Sequence, residues 1–136
     1  MKQKQISESQ LDEVVKIIVG QQGIINLDAE DVRYVLSGKS GFLYSAQQED
    51  EDYQEFMKRT FQELSKQPFI QKCQHMLLDI GYSPEEPITM EDMDIIHDFM
   101  GSIMNDVMDM KWGLKKNGGG DRMTIHVICT NDIQDT

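Results

Sequence analysis

The sequence is poor in cysteine, in basic charge and in long apolar runs, and each shortage excludes a class of protein. Its two cysteines, Cys73 and Cys129, show neither the close spacing of a metal site nor the framework of a small secreted domain. A reducing cytoplasm suits them. Thirteen Lys and Arg stand against 24 Asp and Glu, for a net charge of −11. Nucleic-acid binding needs cationic patches that displace counterions, and none is visible. Anionic membrane surfaces are disfavoured by the same sign. No apolar run approaches the length of a membrane span. Residues 1–10 are polar, unlike a signal peptide, and no internal repeat is evident. What remains is a chain of 136 residues, 39% hydrophobic and 27% charged, which suits one soluble domain with a single core.

The stretch around which the chain is organised is Gly23-Ile24-Ile25-Asn26-Leu27-Asp28-Ala29-Glu30-Asp31-Val32-Arg33. It separates a helix that stops at Gly20 from a second helix running to about Ser37. Asp28 is placed to cap that second helix. Asp31 falls in its first turn, where the helix dipole favours negative charge, and Asn26 makes a turn. That structural account is complete by itself. A functional account also exists. Asn26, Asp28 and Asp31 can converge on a water or a hydrated cation. Carboxylates ionised at neutral pH are poor bases, so they suit orienting a water for attack on a phosphate.

Along the chain, residues 1–6 are polar and are expected to fray. Leu11, Val14, Val15 and Ile18 recur at helical spacing, which predicts a helix over about 9–19. Val32, Val35 and Leu36 mark the buried stripe of the short second helix. Residues 41–46, apolar and aromatic, read as a strand. Glu49 to Asp52 lacks the alternating ligands of a calcium loop and reads as helix-entrance charge. Tyr53, Phe56, Met57, Thr60, Phe61 and Leu64 predict an amphipathic helix ending near Lys66. Residues 72–81 read as a core strand, followed by a loop at Ser83-Pro84 and Pro87. Thr89 with Asp92 makes a capping box for a helix to about Met104, lined by Met93, Ile96, Met100 and Ile103. His97 lies beside that stripe without a metal-spaced partner.

Residues 106–114 and 122–130 alternate apolar and polar about Gly118-Gly119-Gly120, which predicts a β-hairpin. The glycines join two strands, so they are not a phosphate cradle leading into a helix. A loose tail, 131–136, is expected to follow. The fold class is α/β (α+β): a two-layer sandwich with a mixed sheet of about four strands and two covering helices, preceded by helix-loop-helix.

The run Asn-x-Asp-x-x-Asp, flanked by Gly23-Ile24-Ile25 and by Val32-Arg33-x-Val35-Leu36-Ser37, resembles the loop of the bacterial tubulin homologue FtsZ that enters the next subunit and triggers hydrolysis of its GTP. The element order resembles the C-terminal domain of that family over about 11–130. The resemblance implies a division into the tail of the central helix (1–20), the activating loop and short helix (21–37) and the sandwich (38–130). FtsZ places glycines after the first strand of this domain, whereas this chain has Gln47-Gln48. Arg33 would anchor the helix without a catalytic role.

The resemblance implies that Asn26, Asp28 and Asp31 act in trans, on GTP held by a neighbouring FtsZ-like subunit during filament assembly in cell division and septation. Two carboxylates near a polyphosphate require an intervening cation, so Mg²⁺ or K⁺ is implied in the partner subunit's site. The glycine-rich phosphate signature of the tubulin superfamily is absent, so neither nucleotide binding nor turnover is expected of this chain alone. The alternatives are a non-enzymatic module that binds or caps a filament end, and a self-associating α/β interaction domain. The 11–19 helix carries apolar surface that must fold back on the sheet or be covered in a homodimer.

Overall fold

The computed structural model describes residues 2–7, 30, 39–71, 73–103, 109–118 and 122–132. The predicted 9–19 helix, the 21–29 loop and all of the short second helix but Glu30 lie outside them. The described elements are β1 (Lys2–Ser7), β2 (Lys39–Gln47), α1 (Tyr53–Ser65), α2 (Pro68–Gln71), β3 (His75–Tyr82), α3 (Met90–Ile103), β4 (Asp109–Lys116) and β5 (Thr124–Asp132).

The strands form one mixed sheet in the order β1-β2-β5-β3-β4. β5 is antiparallel to both β2 and β3, and β3 and β4 are parallel. A parallel pair needs a crossover connection, and α3 supplies it. The mixed sheet with two covering helices, α1 and α3, is the fold class expected from the sequence.

Side-chain alternation assigns the faces. Tyr44, Met76, Leu78, Ile80, Leu114, Ile125, Val127 and Cys129 join Phe56, Met57, Phe61, Leu64, Ile96, Phe99 and Met100 of α1 and α3 in one core. The α1 residues are those its 3.6-residue period selects. Phe61 and Phe99 stack between the helices with ring centroids 4.4 Å apart. The second face of the sheet is also closed: Leu43, Ile128 and Leu77 form one cross-strand row and are buried. β3, buried on both faces, reads as a nearly unbroken apolar run.

Three expectations are corrected. The first concerns residues 1–6, expected to fray. Residues 2–7 form β1, antiparallel to β2 from Lys2↔Ser45 to Ser7↔Ser40. The sequence KQKQIS holds one apolar residue and so carries no strand period; the β2 edge supplies its backbone partners.

Second, β4 and β5 are not a hairpin, because β3 lies between them. Strands two places apart are about 10 Å apart, so β4 and β5 cannot exchange the backbone hydrogen bonds of a hairpin. The connection instead crosses the end of β3, where Asn117 N–H donates to the Tyr82 carbonyl at 2.9 Å. Third, β5 runs on through Asn131 and Asp132, into the segment expected to be a loose tail. Gln48 also finds a role: its side chain accepts from Met123 N–H and donates to the Glu51 carbonyl, tying the end of β2 to the start of β5.

Candidate functional site

Asn26, Asp28 and Asp31 lie outside the described residues. Between them Glu30 is helical and exposed, and β2 begins at Lys39. The described structure is therefore the frame that carries this loop. Two polar constellations are built into that frame; of their members only Thr89 and Asp92 carry a sequence expectation, as a capping box.

The first crosses the sheet on the face away from α1 and α3. Ser45, His126 and Asp79 are register neighbours on β2, β5 and β3. Ser45 Oγ and His126 Nδ1 are 2.8 Å apart. Asp79, 1% exposed, has Lys115 Nζ at 3.2 Å from Oδ2. The ammonium is close enough to pair but lies off the direction a hydrogen bond needs, and Oδ2 accepts none.

Burial pushes the Asp79 carboxyl up to about 6, against the opposing pull of Lys115. Burial first, and then Lys115, hold His126 down at about 4. At neutral pH the row thus contains a neutral imidazole and a carboxylate near its titration point. Ser, His and Asp in one row invite comparison with a nucleophilic triad, but a triad needs an accessible nucleophile and a base oriented by its acid. Asp79 is instead paired with Lys115 inside the sheet, so the row is structural. One signal for it was legible: a charge within Met76-Leu77-Leu78-Asp79-Ile80 must find a partner if the strand is buried.

The second constellation joins the N-termini of α1 and α3. The expected capping box forms: Thr89 N–H donates to Asp92 Oδ2 at 2.9 Å, and Asp92 N–H donates to Thr89 Oγ1 at 3.2 Å. Tyr53 Oη and Gln54 Nε2 of α1 also donate to the Asp92 carboxylate, at 2.8 and 2.7 Å. Burial would raise this carboxyl, yet the donors from Thr89, Tyr53 and Gln54 outweigh it and hold it below its ordinary value. A completed cap therefore doubles as a helix–helix clamp. Asp52 caps α1 through Gln54 N–H at 3.1 Å, so the end of the acidic run 49–52 serves a helix entrance.

His97 is exposed, its ring edge-on to Trp112 at 6.0 Å. Among the described residues no group of three His, Cys, Asp or Glu side chains is placed to hold a metal. No described helix is long and apolar enough to cross a membrane.

The fold is that of the tubulin/FtsZ C-terminal domain. It is similar to TubZ of Bacillus thuringiensis serovar israelensis in a GTPγS-form protofilament, with a TM-score of 0.60 and 11% identity over 89% of this chain and 33% of that one. It is similar to FtsZ of M. jannaschii, solved as an empty dimer, with a TM-score of 0.55 and 15% identity over 90% of this chain and 36% of that one. CetZ from Methanosaeta thermophila gives 0.56 and 13% over 88% and 35%. The chain thus spans about a third of the length of the structures it matches. No protein-family model and no curated protein matches the sequence.

Proposed function

We propose that this chain supplies, in trans, the loop that activates GTP hydrolysis on a neighbouring FtsZ-like subunit in a cytoplasmic cell-division filament. The observation that carries the reading is the joint occurrence of the Asn26-x-Asp28-x-x-Asp31 loop and, directly after it in the chain, a sheet-and-helix frame with the fold of the FtsZ C-terminal domain. In this reading Asn26, Asp28 and Asp31 orient the attacking water, with Mg²⁺ or K⁺ between the carboxylates and the phosphates. The nucleotide belongs to the partner subunit.

The test adds the purified chain to FtsZ-like subunits loaded with GTP and measures phosphate release. Hydrolysis should rise. Asp28→Ala and Asp31→Ala should each remove the stimulation by on the order of tenfold or more, with the far-UV spectrum and melting temperature kept. Unchanged stimulation in both variants, or GTP bound by the isolated chain, would overturn the reading.

A second reading, a non-enzymatic module that docks on a filament end, is favoured by β1. Residues 2–7 close the β2 edge of this same sheet, as suits a self-contained interaction domain. It predicts slower filament growth at substoichiometric chain, without faster hydrolysis.

A further inference from the structure

Of the four asparagines, Asn26, Asn105, Asn117 and Asn131, Asn117 alone precedes a glycine. A glycine has no Cβ to hinder its own N–H, so its amide nitrogen can reach the side-chain carbonyl carbon of the residue before it. The structure places Asn117 where β4 ends and the connection to β5 crosses the end of β3. Its backbone N–H donates to the Tyr82 carbonyl at 2.9 Å. Its side-chain Nδ2 donates to the Arg122 carbonyl at 2.7 Å and to Thr124 Oγ1 at 3.3 Å. Its Oδ1 lies over Gly81, so closely that a Cβ there would come within 2.3 Å of it. The amide is thus the peg that fastens the β4–β5 connection, and Gly81 is the socket that admits it.

We propose that Asn117-Gly118 is a self-modification site, at which loss of the side-chain amide unfastens the β4–β5 connection. The Gly118 amide nitrogen attacks Asn117 Cγ. A C–N bond forms, the Cγ–Nδ2 bond breaks, and Nδ2 leaves as ammonia with the proton from Gly118. Water then opens the five-membered imide at either carbonyl, giving aspartate or isoaspartate. Nothing is oxidised or reduced. The product loses the donor that faces the Arg122 carbonyl and puts a carboxylate against that oxygen instead, so the peg no longer fits its socket. The isoaspartate product also lengthens the main chain where Asn117 N–H meets Tyr82.

The three ties hold the amide in place, so the folded state sets the rate. Loosening the socket should speed the reaction, and crowding the attacking nitrogen should slow it. Gly81→Ala displaces the amide, because the clash falls on the far end of a flexible side chain and on the Thr124 hydroxyl at 2.6 Å. Thr124→Val removes one acceptor and spares the fold if Gly81→Ala does not. Gly118→Ala adds the missing Cβ.

The experiment incubates the full chain in mildly alkaline heavy-oxygen water and maps peptides by mass. Conversion at Asn117 should outpace that at Asn26, Asn105 and Asn131. It should rise severalfold in Gly81→Ala or Thr124→Val and fall severalfold in Gly118→Ala. The proposal is overturned if Asn117 keeps its amide, if all four asparagines convert alike, or if Gly118→Ala leaves the rate unchanged.

Discussion

Asp79 and His126 stand opposite each other on β3 and β5 and are displaced from their ordinary titration in ways that offset. Asp79 is raised from 3.8 to about 6. Taken alone, the folded state holds a proton that the unfolded state releases, so stability falls as pH rises from about 4 to 6. The loss is about 3 kcal/mol. His126 is lowered from 6.5 to about 4. Taken alone, the unfolded state gains a proton that the folded state refuses, so stability falls by a similar amount as pH drops from about 6.5 to 4.

At pH 5 the folded row carries a neutral acid and a neutral imidazole, while the unfolded chain carries both charges. The proton counts match, and this pair leaves stability nearly flat. The prediction is that single variants expose opposite slopes in denaturant titrations across pH 4–7. Asp79→Asn should lose stability on acidification, and His126→Gln should gain it. Parallel slopes in the two variants would show that the groups are not linked as described. Asp92, held below its ordinary value by its donors, adds a separate loss: its contribution is full above about 3.9 and disappears as pH falls below that.

The elements are held by contacts that differ in how well the sequence announces them. α1 and α3 each meet the sheet through a period-3.6 stripe, so their existence and inward faces were readable. Asp92 was readable as a cap. That the same carboxylate would also receive Tyr53 and Gln54 from α1 was not, because a cap motif says nothing of which helix lies beside it. The glycines at 118–120 announced a reversal between β4 and β5 but not what would enter between them. β3 takes that place because the α3 crossover sets it parallel to β4, a non-local consequence no turn residue records.

Among the described glycines Gly41 on β2 sits tightest: a Cβ there would lie 1.9 Å from the Cys129 carbonyl oxygen. That atom is backbone in the central strand β5 and cannot step aside as a side chain can. Gly41→Ala is therefore expected to cost at least the upper end of the roughly 1–3 kcal/mol of ordinary overpacking, read as a lower denaturant midpoint. A variant as stable as the parent would mean that β2 and β5 lie further apart than this pairing.

At the scale of the molecule the dominant fact is charge. With 24 acidic side chains against 13 basic ones, folding gathers like charges onto one surface and self-repulsion opposes it. Glu49 and Asp50, before α1, and Glu91, Asp94 and Asp98 of α3 are all exposed. The two described pairs nearest the first group, Glu51 with Arg59 and Asp50 with Arg122, lie at the surface, where an ion pair contributes at most about 1 kcal/mol. The buried Asp79–Lys115 pair and the Asp92 clamp are shielded from salt by the protein around them.

Raising ionic strength from about 0.01 to 0.15 M shortens the screening length from roughly 30 to 8 Å. The long-range repulsion should weaken while the buried pairs are little changed. The expected outcome is a melting temperature that climbs with sodium chloride over this range and then levels off. The Asp92→Asn variant should show the same salt slope displaced downward, because that carboxylate acts through short hydrogen bonds rather than through the field. A melting temperature that falls with added salt would instead mean that surface ion pairs outweigh repulsion.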